Sequence, residues 1–262
     1  MTAPRDPTAY PEVNAILRLL LEQTRAVLGT QFVGLCLYGS LSSGDFDPAS
    51  SDIDFLAVTE GELPPETVER LGAMHARLAS SGLSWANRLE GSYIPRAALL
   101  RHDPSNARHP TIGLDWDFGL GQHGPEWVIQ RWIVREQGVT LAGPPPATLI
   151  DPVTPEMLRA AVIDSLLGFW AEQLQGPEPE WLRTREYQAF AVLTMCRALY
   201  TLAQGALVSK PAAAAWARAA LGPQWAPLIE RALAWRHDRR PDDLTETLDF
   251  VRFAVERARQ AQ

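Results

Sequence analysis

Cysteine is scarce: two in 262 residues, Cys36 inside the apolar run QFVGLCLY and Cys196 inside a helical run. Two thiols so placed form neither a disulfide framework nor a metal-ligand pattern, so both are expected in cores. Lysine is scarcer still, since Lys210 stands alone among 24 basic residues, a bias that Arg-rich codon usage explains. No apolar run approaches the roughly 20 residues of a membrane span. The opening MTAPRDPTAYPE has no apolar core of a signal peptide, so the expectation is a cytoplasmic protein without a membrane partner. His75, His102, His109, His123 and His237 show no zinc spacing, and neither a Walker loop nor a Ser-His-Asp order is present.

Basic charge is also short in the first half. Residues 1–150 hold 17 acids against 11 bases, while residues 151–262 hold 14 against 13, and the chain carries −7 overall. A nucleic-acid backbone demands a basic footprint, so this balance argues against nucleic acid as the main partner. A cationic small molecule suits it. What remains is 46% hydrophobic and 21% charged, the composition of a globular chain with room for one large domain or two modest ones.

Periodicity divides the chain. Val13, Ile16, Leu17, Leu20 and Leu21 have helical spacing within residues 11–29, with Gly29 as a stop. QFVGLCLY predicts a buried strand and SDIDFLAV a second; residues 64–79 return to helical spacing, and LSWANRLEGSYI predicts a third strand. GPEWVIQRWIVREQG predicts a helix with Pro125 near its first turn. This alternation implies an α/β domain over residues 1–150. The proline-rich AGPPPATLIDPVTPE marks a boundary near residue 150. Beyond it, residues 155–174, 186–205, 211–221, 225–236 and 241–260 all have helical patterns and no strand signal, so residues 151–262 are expected to form a helical bundle. The fold class is therefore α+β.

The chemistry concentrates in LYGSLSSGDFDPASSDIDFLAV, residues 37–58. Asp52 and Asp54 are two apart on an expected strand, so their side chains share a face. Two carboxylates that close repel unless a cation sits between them. Mg²⁺ is the natural cation, because it prefers carboxylates together with substrate phosphates. At the other end of the loop, Gly39 lets the backbone approach a phosphate and the Ser40 hydroxyl can donate to it. A solvated strand end would explain Asp-x-Asp alone. The joint pattern between two apolar strands points to nucleotidyl transfer, in which metal ions align attacking and leaving oxygens.

This arrangement resembles that of the DNA-polymerase-β-type nucleotidyltransferase superfamily, and within it the aminoglycoside (3'')(9) adenylyltransferases. Residues 193–217, LTMCRALYTLAQGALVSKPAAAAWA, are similar to that family's C-terminal helical segment. The resemblance covers nearly the whole chain, although residues 95–150 match loosely. It implies a polymerase-β-like nucleotidyltransferase domain over 1–150 and a helical C-terminal domain over 151–262. The implied activity is Mg²⁺-dependent transfer of AMP from ATP to a hydroxyl of streptomycin or spectinomycin, with pyrophosphate released and ATP clamped between the domains. Carried over by position, Gly39 and Ser40 fall on the phosphate turn and Asp52 and Asp54 on the metal positions. Glu90 falls on the general base, and Arg197 and Lys210 on the ATP-phosphate contacts. Trp116 and Trp170 fall on positions that contact the antibiotic, though tryptophans at helical spacing also serve as core anchors. The family's acidic residues on the helical domain do not align cleanly, and Glu180 and Glu186 are the nearby candidates. Asp115 and Asp117 in LDWDF form a second spaced pair, read as a turn, a cleft wall or a second metal site. Two other readings stay open: transfer of AMP to a protein hydroxyl, and a catalytically silent nucleotide-binding module. The silent module would be expected to lack a carboxylate, and all three are present.

Overall fold

Period-two apolar residues build the centre of a mixed sheet. In a computed structural model describing residues 6–49, 51–114, 117–235, 237–238, 240 and 243–262, β1 (Phe32–Leu37) pairs antiparallel with β2 (Ile53–Thr59), Leu37 opposite Phe55. β2 pairs parallel with β3 (Leu89–Pro95), Ile53 opposite Leu89. β4 (Arg108–Ile112) and β5 (Gly119–Gln122) extend the β3 side, and β6 (Val139–Ala142) flanks β1, giving the order β5-β4-β3-β2-β1-β6.

The two faces of this sheet do different things. Leu35, Leu37, Ile53 and Phe55 point to one face, where Ile16, Leu17 and Leu20 of α1 (Pro11–Leu28) and Leu71 and Met74 of α3 (Pro65–Ala79) cover them. Each such side chain, at 2% exposure or less, stabilises the fold by about 1.5–3 kcal/mol through burial. Cys36, Leu56 and Val58 point to the opposite face. There Leu99 of α4 (Arg96–Leu100) and Val134 of α5 (Glu126–Gln137) close over them. The polar residues at the start of β2 and β3 lie on this second face. Between β1 and β2 a single helical turn, α2 (Ser40–Ser43), opens the connecting loop.

The chain divides into two compact units, one ending at Pro152 and the other starting at Val153. The second unit contains α6 (Pro155–Ser165), α7 (Arg185–Gln204), α8 (Lys210–Ala220), α9 (Ala226–Leu233) and α10 (Leu244–Gln260), and no strand among its described residues. α7 is the spine, packed by α6, α8, α9 and α10. Ala213, Ala214 and Ala217 on α8 are fully buried, so small side chains bring α8 close to α7. Gly205 ends α7 in the left-handed conformation (φ +65°), and Ser209 caps α8 through the Ala212 amide at 3.4 Å.

The α+β class and the helical second part agree with the sequence reading, but details differ. Three strands were expected, and six form among the described residues. β4 carries Pro110, β5 carries two glycines and β6 has four residues, so none shows a period-two apolar run. The expected helix over 155–174 is α6 followed by a π-helical turn at Leu166–Trp170. Both cysteines are buried, as expected. Trp116, Asp115 and the start of the expected 241–260 helix lie outside the described residues.

Candidate active site

The turn after β1 is shaped around a carboxylate. Gly39 has φ +64°, and a Cβ there would stand 1.8 Å from Asp54 Oδ2. Any side chain at position 39 would therefore meet both backbone strain and the Asp54 carboxylate. Ser40 follows directly, its Oγ buried with no hydrogen-bond partner. A buried hydroxyl without a partner costs free energy unless something else completes it. The backbone amides of Ser42 and Ser43 turn inward to Gly39 O at 3.2 and 3.0 Å, which fixes α2.

The polar loop from Asp45 to Ser51 is closed on itself. The Asp47 amide donates to Ser51 Oγ (2.9 Å), the Ala49 amide to Asp47 Oδ1 (2.9 Å) and the Ser51 amide to Asp47 O (2.8 Å). Phe46 anchors the loop between the rings of Tyr10 and Trp85, at 4.8 and 5.2 Å. The chain thus re-enters the sheet with Asp52 just before β2 and Asp54 as its second residue.

Glu90 is the second residue of β3, in register with Asp54. Residues matched across a parallel pair project from the same face, with backbones ~4.8 Å apart. The close approach depends on Gly91, where a Cβ would stand 2.3 Å from Phe55 O. Both carboxylates are half-buried. Tyr38 completes the row on the β1 side: its amide donates to Asp54 O at 3.1 Å, and its side chain is 5% exposed. Burial pushes the Tyr38 phenol well above its ordinary range, and the charges of Asp54, Glu90 and Asp52 add to that push. Tyr38, Asp54 and Glu90 therefore lie in one row on the same side of the sheet.

Among the described residues, no three His, Cys, Asp or Glu side chains are grouped so as to hold a metal ion alone. Mg²⁺ takes one or two carboxylates and completes its shell with water and phosphate oxygens. Asp52, Asp54 and the unpartnered Ser40 hydroxyl suit such a set.

Further along the Glu90 face of β3, Ser92 meets His123 Nε2 at 3.1 Å and Thr111 Oγ1 at 3.0 Å. His123 stacks on Trp127 at 3.5 Å, and burial, helped by His109 and Arg131, pushes its pKa down to about 2. This neutral network ties β3 to β4 and the segment after β5; it supports the sheet and has no ligand spacing.

The remaining sequence candidates belong to the helical unit, except Asp117, which is exposed between β4 and β5. Arg197 is half-buried on α7. Lys210 is the first residue of α8, with its ammonium 4.5 Å from the Phe190 ring centroid. A cation at a helix N-terminus opposes the helix dipole, and the contact with the Phe190 ring offsets part of that cost. Trp170 is 4% exposed and packs against Phe169, Trp181 and Phe190, with Phe169 the most exposed of the group at 51%. Glu180 is exposed and lies 3.4 Å from Arg183; Glu186 is exposed in the first turn of α7. Sequence reasoning missed Gly91. A glycine directly after Glu90, inside an otherwise strand-like run, was the signal available.

Comparison with known proteins gives two family matches, a nucleotidyltransferase domain over residues 21–85 and an aminoglycoside adenylyltransferase C-terminal domain over residues 148–260. An aminoglycoside (3'')(9) adenylyltransferase from Klebsiella pneumoniae is 32% identical over 262 residues, covering 94% of this chain and 93% of the relative. A spectinomycin 9-adenylyltransferase from Staphylococcus aureus is 26% identical over 224 residues, covering 81% of this chain and 80% of the relative. In fold, the chain is similar to the crystal structure of the spectinomycin adenyltransferase AAD(9) from Enterococcus faecialis with ATP and spectinomycin, with a TM-score of 0.73, 16% identity, and 94% and 98% of the two chains covered.

Proposed function

We propose a reaction for this chain from one premise: it belongs to the aminoglycoside (3'')(9) adenylyltransferase family and is a nucleotidyltransferase. The reaction is transfer of AMP from ATP to a hydroxyl of an aminoglycoside-like antibiotic of the streptomycin and spectinomycin class, with release of pyrophosphate. The observation that carries it is the register of Asp54 with Glu90 beside the Gly39–Ser40 turn.

Glu90 takes the proton of the acceptor hydroxyl as that oxygen attacks the α-phosphorus of ATP. The bond from the α-phosphorus to the oxygen bridging it to the β-phosphate breaks, pyrophosphate leaves, and an AMP ester remains on the acceptor. Asp52 and Asp54 would hold Mg²⁺, which when bound would supply positive charge to the phosphates. Ser40 donates its hydroxyl to a phosphate oxygen, and Gly39 keeps the backbone out of the way. Arg197 and Lys210 pair with the triphosphate; the placement of Lys210 against the α8 dipole supports that assignment. Exposed carboxylates at Glu180 and Glu186 supply negative charge for a cationic acceptor, and Trp116 and Trp170 belong to the acceptor side. The chain works in the cytoplasm, where ATP is available.

A pyrophosphate-release assay with Mg-ATP, run against streptomycin, spectinomycin and candidate protein acceptors, tests the reading. Release that depends on one of the two antibiotics is expected. Release that depends only on a protein acceptor, or none with any acceptor, would overturn it.

A further inference from the structure

Lys210 stands over an aromatic ring that no role assigned so far uses. Its Nζ lies 4.5 Å from the ring centroid of Phe190, inside the ~6 Å reach of a cation–π contact. Trp170, buried at the end of the π-helical turn, stacks on the same ring with centroids 6.4 Å apart, and Phe190 is still 41% exposed. The ring is therefore supported from within the bundle and open at its surface. Along α7, Phe190, Thr194 and Arg197 follow at i, i+4 and i+7, so they share one face of the helix. Thr194 Oγ1 on that stripe is buried with no hydrogen-bond partner. Through the ring contact the first residue of α8 joins the α7 face that carries Arg197.

We propose that Phe190 is a positioning residue for Lys210: its ring holds the ammonium in place on the Arg197 side of α7, ready for the ATP phosphates. Lysine is among the most rotamer-rich side chains, and ordering it only when ATP arrives would weaken binding. An aromatic face orders the ammonium beforehand and consumes none of its three N–H donors, so those donors suit phosphate oxygens. The residue type fits the task. Lys210 is one lysine among 24 basic residues, and a compact ammonium sits over a ring as a point charge where a guanidinium would lie flat along it.

The inference rests on the proposed pairing of Lys210 with the triphosphate, and the experiment separates the two. Mg-ATP is titrated calorimetrically into the full chain carrying Phe190→Leu, Lys210→Ala, or monofluoro-, trifluoro- or pentafluorophenylalanine at position 190, and each protein is melted. Fluorine withdraws charge from the ring face while nearly keeping its shape, so the Kd for ATP is expected to rise stepwise with fluorine number. The rise should reach roughly 2–5-fold for the pentafluoro ring, with Phe190→Leu similar and the melting temperatures of the fluorinated proteins unchanged. In a Lys210→Ala background the pentafluoro ring should leave the Kd where Lys210→Ala alone puts it. A Kd that ignores fluorine while Lys210→Ala weakens ATP overturns the role of Phe190 alone. So does a fluorine effect that persists without Lys210, or tighter ATP binding as the ring weakens. Lys210→Ala with normal ATP affinity overturns both the pairing and the inference. The fluorinated rings carry the test by themselves should Phe190→Leu fail to fold.

Discussion

Asp54 and Glu90 stand opposite one another in register on two parallel strands, 36 positions apart in sequence and neighbours in the sheet. The chain builds this adjacency with two glycines: Gly39, which clears space for the Asp54 carboxylate, and Gly91, which lets β3 approach β2.

Gly39→Ala should damage both fold and site. The backbone at φ +64° disfavours a side chain by about 1–2 kcal/mol, and the new methyl would meet Asp54 Oδ2 at 1.8 Å. Urea unfolding should show that loss of stability, and the folded protein should show almost no transfer. Normal activity in the folded variant would mean that the turn does not hold Asp54 in place.

Asp54→Asn removes one negative ligand while keeping shape. Turnover is expected to fall by more than the ~10–100-fold typical of losing an outer-shell partner, with the circular dichroism spectrum unchanged. Restored activity at high Mg²⁺ would agree with a weakened metal site; near-normal turnover at ordinary Mg²⁺ would remove Asp54 from the mechanism.

Lys210→Ala should change ATP binding far more than the fold. Removing the cation relieves its opposition to the α8 dipole, about 0.3–1 kcal/mol, and loses its contact with the Phe190 ring, of about the same size, so stability should change little while ATP affinity falls. Calorimetric titration of ATP and a melting curve read both. Loss of acceptor affinity with ATP affinity intact would contradict the assignment.

Acid should destabilise the first unit. His75, buried with its Nε2 2.8 Å from Tyr93 Oη, has its pKa lowered by burial to about 4. Between pH 6.5 and 4 the unfolded chain binds a proton that the folded one refuses, so stability is full above about 6.5 and falls as pH drops toward 4. The size is of order 3 kcal/mol for this group. Urea midpoints across that range measure it, and a flat profile would show that His75 accepts its proton in place.

The legible parts of this fold were those whose signal is local. Helical spacing at Val13, Ile16, Leu17 and Leu20 and the apolar runs of β1 and β2 needed no partner to be read. β4, β5 and β6 form because neighbours in the sheet accept their hydrogen bonds, so Pro110, Gly119 and Gly121 conceal them from any periodic pattern. The same holds for the site. Gly39, Ser40, Asp52 and Asp54 lie within one loop and two strand ends, and their spacing is a sequence feature. The Glu90 assignment needed a family resemblance, because the register that places it beside Asp54 is a long-range property.

The most direct test is the mass of the acceptor itself. Streptomycin and spectinomycin are each incubated with Mg-ATP and either the unaltered enzyme or Glu90→Gln, and the products are read by mass spectrometry. The account expects one AMP added to an antibiotic hydroxyl by the unaltered enzyme, and a rate lower by roughly 10²–10⁴-fold with Glu90→Gln at unchanged ATP affinity. An antibiotic left unmodified by the unaltered enzyme, or modified equally fast by Glu90→Gln, would contradict it.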